Sequence, residues 1–362
     1  MIKFVIKWLI LLISLFFYSS IIAQEEAVKE LVDSVPPYVK LYNKACKLID
    51  TAKYTEAIPL LKKVLKDNPD YYMAHNKMAF IFIKQNKNKE AAKSLDKAEK
   101  ISPLNYETLK LKGINFFVTD KYKESKTAID SAVVIAAEDK IDDAELLYYQ
   151  AMLMYKGKSY KTAISSCIAA LELKPKYIEV LVLKADSRFA LKDYVNAIKD
   201  YDEALKAMPA EKPDYNCYRQ RAKSKAEIKD YKGAIKDWSL ILDSDPKDEE
   251  ALISRAVSKI NINDNTGAIV DLDEAIKINP KNPVSYCNRG VAKSANKVYV
   301  EALKDLDYAI KLKFDYGAAF VNRAAVKMAS KDKVGACDDL EKADSLGDNM
   351  AHKLIERYCK GK

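Results

Sequence analysis

Apolar residues recur along this chain at separations of three and four, the spacing that lines one face of an α-helix. Asp, Asn and Lys clusters interrupt these runs and mark turns. Whole phrases come back: YTEAIPLLKKVLKDNP, YVNAIKDYDEALKAMP, YKGAIKDWSLILDSDP and TGAIVDLDEAIKINP. Their prolines keep a spacing of 34, from Pro69 to Pro103, Pro175 to Pro209 and Pro246 to Pro280. Each period therefore predicts two helices joined by a turn, with a proline that stops the second helix. A lone hairpin of this kind cannot bury its apolar face; a stack of them makes one continuous core.

These residues resemble the tetratricopeptide repeat, a 34-residue helix–turn–helix unit with small residues at positions 8, 20 and 27, a large apolar residue at 24 and Pro at 32. With Pro69 at position 32, nine repeats start at Tyr38, Tyr72, Tyr106, Ala144, Ile178, Tyr215, Glu249, Pro283 and Gly317. Positions 8 and 20 are Ala, Gly or Ser in all nine, and position 24 carries bulk such as Leu61, Ile129, Tyr201, Trp238 and Leu306. The resemblance implies an all-α, right-handed α-solenoid over residues 38–347. A capping helix and tail over 348–362 are expected to close it with Lys353, Glu356, Arg357 and Lys360. Insertions are placed around Ala137–Ile141 and Pro209–Pro213, and repeats three, eight and nine lack the final proline, with Ala137, Phe314 and Asp348 there.

The first 23 residues stand apart. Lys3 and Lys7 precede an uncharged run over 8–23, and Ala23 is followed by Gln24, Glu25 and Glu26. This reads as a secretory signal peptide cut after Ala23, or, if uncut, as a membrane anchor; membrane contact is expected through this segment alone. Residues 24–37 form a lead-in. The expected location is the periplasm or cell envelope, or outside the cell. A formal charge of +9 on 362 residues is spread evenly, so no nucleic-acid stripe and no nucleic-acid partner are expected.

Chemistry is sparse. Nine glycines and two histidines leave little for phosphate loops or metal centres. Gly157-Lys158-Ser159 lacks the glycine five positions earlier that a phosphate loop needs, since Met152 is there. Asn261, Asn263, Asn265 and Gly267 miss the glycine and glutamate spacing of a calcium loop. His75 and His352 have no ligand partners at useful spacing. The expectation is a binding protein, not an enzyme, with no cofactor and no metal.

In the family, the first helices line a concave groove. That resemblance implies a stripe of Phe80, Ile83, Ile114, Phe117, Tyr148, Met152, Tyr155 and Phe189; the alternative is that these side chains pack against neighbouring helices. The implied partner is a protein or peptide in that groove, the protein organising a cell-envelope assembly; the other reading is an accessory or regulatory subunit that senses a small ligand or glycan. In the later repeats, Arg221, Arg255, Arg289 and Arg323 share position 7, and Asp237, Asp271, Asp305 and Asp339 share position 23. The two positions lie opposite in an antiparallel hairpin, which suggests a structural ion-pair ladder, with an anion-binding track as the alternative. Cys337 and Cys359 flank the turn near Gly347 at similar distances, so they form a candidate disulfide or remain two buried thiols.

Overall fold

A computed structural model describes residues 35–209 and 211–359. The expected signal peptide, the lead-in up to residue 34 and Lys360 lie outside the described residues. Nineteen helices and no strand occur among the described residues. They fall into two compact units, Met1–Leu153 and Met154–Lys362.

The first unit holds α1 (Pro37–Asp50), α2 (Tyr54–Asp67), α3 (Tyr72–Lys84), α4 (Asn88–Ile101), α5 (Tyr106–Val118) and α6 (Tyr122–Asp139). The division falls inside α7 (Ala144–Lys156). The second unit holds α8 (Tyr160–Leu173), α9 (Ile178–Ala190), α10 (Tyr194–Ala207), α11 (Tyr215–Glu227), α12 (Tyr231–Ser244) and α13 (Glu249–Asn261). It continues through α14 (Asn265–Ile278), α15 (Pro283–Ala295), α16 (Tyr299–Leu312), α17 (Gly317–Ala329), α18 (Lys333–Ser345) and α19 (Asn349–Tyr358). Odd helices up to α17 are the first helices of the repeats and even ones the second; within each unit, from α1 to α6 and from α8 to α19, each packs on the next, as in a tetratricopeptide-repeat solenoid.

The small positions explain the close packing. Ala45 and Ala57, Ala185 and Ala197, and Ala256 and Ala268 are all fully buried, each pair belonging to one hairpin. Large residues at position 24 fill the space left over: Leu61, Leu95, Tyr201, Trp238 and Leu306 are buried as well. Gly113 shows how tight the fit is. A Cβ built there would stand 2.6 Å from Ile129 Cγ1 and Cδ1, while Ser125 Oγ donates to the Gly113 carbonyl at 2.8 Å. The turn between the two helices of every repeat passes through one left-handed residue: Ala52, Asn86, Asp120, Lys158, Lys192, Lys229, Asn263, Lys297 and Lys331, with φ between 57° and 69°. None is glycine. The triplet around Lys158 and the asparagines around Asn263 are these turns, and Asp264 caps α14 by accepting from the Gly267 N–H.

The insertion around Ala137–Ile141 extends α6 to 18 residues and ends at Lys140 in the left-handed region. The last helix, α19, lies against α18, with Ala351 buried and Leu354 and Ile355 half-buried in the cluster built on Phe320, Val321 and Leu340. Cys337 and Cys359 are joined by a disulfide, their Cα atoms 5.9 Å apart.

Candidate functional site

In the first compact unit, Phe80 and Ile83 on α3 are half-buried against the cluster of Ala79, Ala91, Leu95 and Leu111, and the Lys84 ammonium lies 5.3 Å from the Phe80 ring centre. Ile114 does not line an open face: it is 4% exposed, on a helix that also buries Leu109, Leu111, Gly113 and Asn115. Phe117 is edge-on to both Tyr122 and Tyr149, with ring centres 5.5 Å away in each case. Tyr148 and Met152 remain half-covered on α7, with Tyr148 edge-on to Tyr149 at 5.4 Å. In the second unit, Tyr155 packs edge-on to Tyr160 at 5.4 Å and Phe189 to Tyr194 at 5.6 Å. Position 12 of a first helix thus pairs repeatedly with the tyrosine at position 17 that opens the second helix, which turns part of the expected stripe into hairpin packing.

Ion pairs link successive first helices of the first unit. Lys77 meets Glu107 at 2.7 Å, and Lys110 meets Asp143 at 2.6 Å and Glu145 at 2.8 Å. Tyr106 donates to Asp143 at 2.6 Å. Burial alone would raise the Asp143 carboxyl, but the hydrogen bonds from Lys110 and Tyr106 outweigh it and hold the group below the usual carboxylate range.

The second unit carries the ladder. Nη2 of Arg221, Arg255, Arg289 and Arg323 lies 2.6, 2.7, 2.6 and 2.6 Å from Oδ1 of Asp237, Asp271, Asp305 and Asp339. In each pair Nε donates to Oδ2 at 2.9–3.0 Å, so the contact is bidentate. Lys225, Lys259, Lys293 and Lys327 reach the same carboxylates at 2.7–2.8 Å. These aspartates are nearly buried, and every one has two cations. The guanidiniums of Arg221, Arg289 and Arg323 lie 5.2–5.5 Å from the ring centres of Tyr218, Tyr286 and Phe320, each three residues earlier. Burial pulls Arg289 down, but hydrogen bonds to Asp305 and Asp273 prevail and leave it above its ordinary value.

Two parts of this network were not anticipated. The free edge of each guanidinium reaches back to the preceding repeat: Nη1 of Arg221, Arg289 and Arg323 contacts Asp202, Asp273 and Asp307 at 2.6, 2.7 and 2.6 Å. The sequence signal is the Asp-x-Asp pattern, as in Asp271-Leu272-Asp273 and Asp305-Leu306-Asp307. The fifth repeat also has a rung with the cations exchanged. Lys184 at position 7 is 3.3 Å from Asp200, and Arg188 at position 11 approaches Asp200 Oδ2 at 2.6 Å as an ion contact without hydrogen-bond alignment. Burial raises Asp200 despite both cations.

No group of three potential metal ligands occurs among the described residues. His75 is nearly buried, with Nε2 3.3 Å from the Pro69 carbonyl, and His352 lies 3.3 Å from Asp344.

Residues 48–112 match the tetratricopeptide repeat family model. Among solved structures, a tetratricopeptide repeat protein from Parabacteroides merdae is 20% identical and aligns with a TM-score of 0.51 over 69% of this chain and 97% of its own. PilF from Pseudomonas aeruginosa is 16% identical, with a TM-score of 0.51 over 58% of this chain and 92% of its own. PilW, described as a widely conserved type IV pilus biogenesis factor, is 15% identical, with a TM-score of 0.51 over 59% of this chain and 96% of its own. No curated protein sequence matches the chain. The 34-residue period, the stacked helix pairs, the family-model match over residues 48–112 and these likenesses agree on the fold: the chain folds as tetratricopeptide repeats.

Proposed function

We propose that the protein is an exported scaffold of the periplasm or cell envelope that holds a protein or peptide partner along its first helices. The observation that carries this reading is the set of apolar side chains left half-covered on α3 and α7: Phe80, Ile83, Tyr148 and Met152. Tyrosine supplies a large contact with few rotamers and methionine adapts to an irregular partner, so such residues serve as binding anchors. Ladder-bound side chains in the second unit already have their partners, which favours the first unit as the adaptable surface.

Export is supported by the basic start and uncharged run before Gln24, and by the Cys337–Cys359 bridge, since disulfides persist in oxidising compartments. PilW adds only that one protein of this fold is a type IV pilus biogenesis factor. Fractionation with N-terminal sequencing of the native protein tests export: Gln24 as the first residue, or an uncut chain in the envelope fraction, agrees, and an uncut chain in the cytoplasmic fraction overturns it. The binding reading is tested by replacing Tyr148 and Met152 with Ser. Partner capture should fall while helicity and the unfolding midpoint stay within the range of surface variants; loss of the fold instead would mark these residues as core.

A further inference from the structure

Three of the position-7 arginines place Nη1 on a carboxylate of the preceding repeat. Arg255 does not. Where its counterparts meet Asp202, Asp273 or Asp307, it meets the hydroxyl of Ser239 at 3.2 Å. A second position changes at the same junction: Val270 stands where the other laddered repeats have Lys236, Lys304 and Asp338, and it is 64% exposed.

A cavity of about 460 Å³ opens here between α12, α13 and α14. That lies within the ~300–1,000 Å³ typical of small-molecule sites. Its apolar wall is Leu242, Leu252 and Val270, and Arg255 stands among them. Four acids also line it, but three are already neutralised. Asp271 is held by Arg255 and Lys259, Asp273 by Arg289, and Glu274 by Lys277 at 2.9 Å. Asp243 alone of the four has no ion pair among the described residues. Arg255 thus lines the cavity while its Nη1 has a hydroxyl where its counterparts have a carboxylate.

We propose that this junction binds an aliphatic carboxylate. The ligand's carboxylate takes the place against Arg255 Nη1 that a protein aspartate takes at the other three arginines, with its oxygens accepting from the guanidinium. Its hydrocarbon lies on Leu242, Leu252 and Val270. The site lies between α12, α13 and α14 and contains none of the residues of the first-helix stripe.

The test is a ligand-observed NMR titration of the full chain with 4-methylpentanoate, using 4-methylpentanamide as the uncharged control. The acid should bind in the millimolar range and the amide should not. Ser239→Asp supplies the missing carboxylate from the protein itself, so it should weaken acid binding by about tenfold or more while leaving the thermal midpoint equal or higher. Val270→Asp should reach the same loss by a second route, and Ser239→Ala should bind as the unaltered chain does. No binding of the acid, equal binding of acid and amide, or undiminished binding in folded Ser239→Asp would overturn the proposal.

Discussion

Arg289 sits between two carboxylates of different burial, so one guanidinium gives an internal comparison. Asp305 is 6% exposed and takes two hydrogen bonds from Arg289, with Lys293 as its second cation at 2.7 Å. The Asp273 side chain is 46% exposed and takes one contact at 2.7 Å. Arg289→Ala leaves Asp305 buried with Lys293 alone. Breaking a buried pair costs ~3–5 kcal/mol; the remaining ammonium reduces this to about 2–3 kcal/mol. The coupling should divide unequally: about 2 kcal/mol between Arg289 and Asp305, and under ~0.5 kcal/mol between Arg289 and Asp273, where solvent screens the pair. Loss of packing on Tyr286 cancels within each double-mutant cycle. Long repeat arrays depart from two-state unfolding, so the free energies are best read from amide hydrogen exchange in α15 and α16, with urea titration by circular dichroism as a check. Equal couplings, or a cost for Arg289→Ala below ~0.5 kcal/mol, would refute the view that the buried aspartates organise the ladder.

Three further outcomes follow from the geometry. Gly113→Ala should destabilise the third repeat by about 1–2 kcal/mol, because the new methyl meets Ile129 at 2.6 Å and overpacking exceeds the helix-propensity gain; Ile129→Val in the same chain should recover part of the loss in urea midpoint. Lys297→Gly should stabilise by roughly 0.5–1 kcal/mol, since relief of a left-handed φ of 64° exceeds the extra entropy of glycine in the unfolded chain; a lower thermal midpoint would refute this. Burial raises the carboxyl of Asp186, which accepts from the Tyr201 hydroxyl, so the folded chain binds that proton more tightly than the unfolded one. The stability gained is fully present below the ordinary carboxylate value and is lost as pH rises through the raised one. Asp186→Asn, which keeps an acceptor for Tyr201, should therefore match the parent in acid and exceed it near neutral pH in urea midpoint, and a pH-independent difference would contradict the assignment.

The fold is legible in the sequence because the period has local causes. Small residues at positions 8 and 20 recur where two helices touch, and turn residues recur where the chain reverses. The ladder is partly legible for the same reason: Arg221 and Asp237 are sixteen apart, and so are their counterparts. Its backward contacts are not, because Asp202, Asp273 and Asp307 bond across repeats and their Asp-x-Asp pattern looks like an ordinary solvated face. The exchanged rung at Lys184 and Arg188 hides behind a reading that asks for Arg at position 7. The aromatic stripe is the least legible part. Periodicity puts Phe117, Tyr155 and Phe189 on one face, but only the closed hairpin shows that Tyr122, Tyr160 and Tyr194 pack against them. Ile114 obeys the groove spacing and is nevertheless interior, because α5 is buried on more than one face.

The claim that the first helices hold a protein partner is tested most directly by site-specific photo-crosslinking in the native envelope fraction. A photoreactive residue at Met152, on α7, is compared with one at Val195, which is 53% exposed on the second helix α10. The account predicts one stoichiometric protein adduct from position 152 and none from 195. No protein adduct at 152, or the same adducts from both positions, would contradict it.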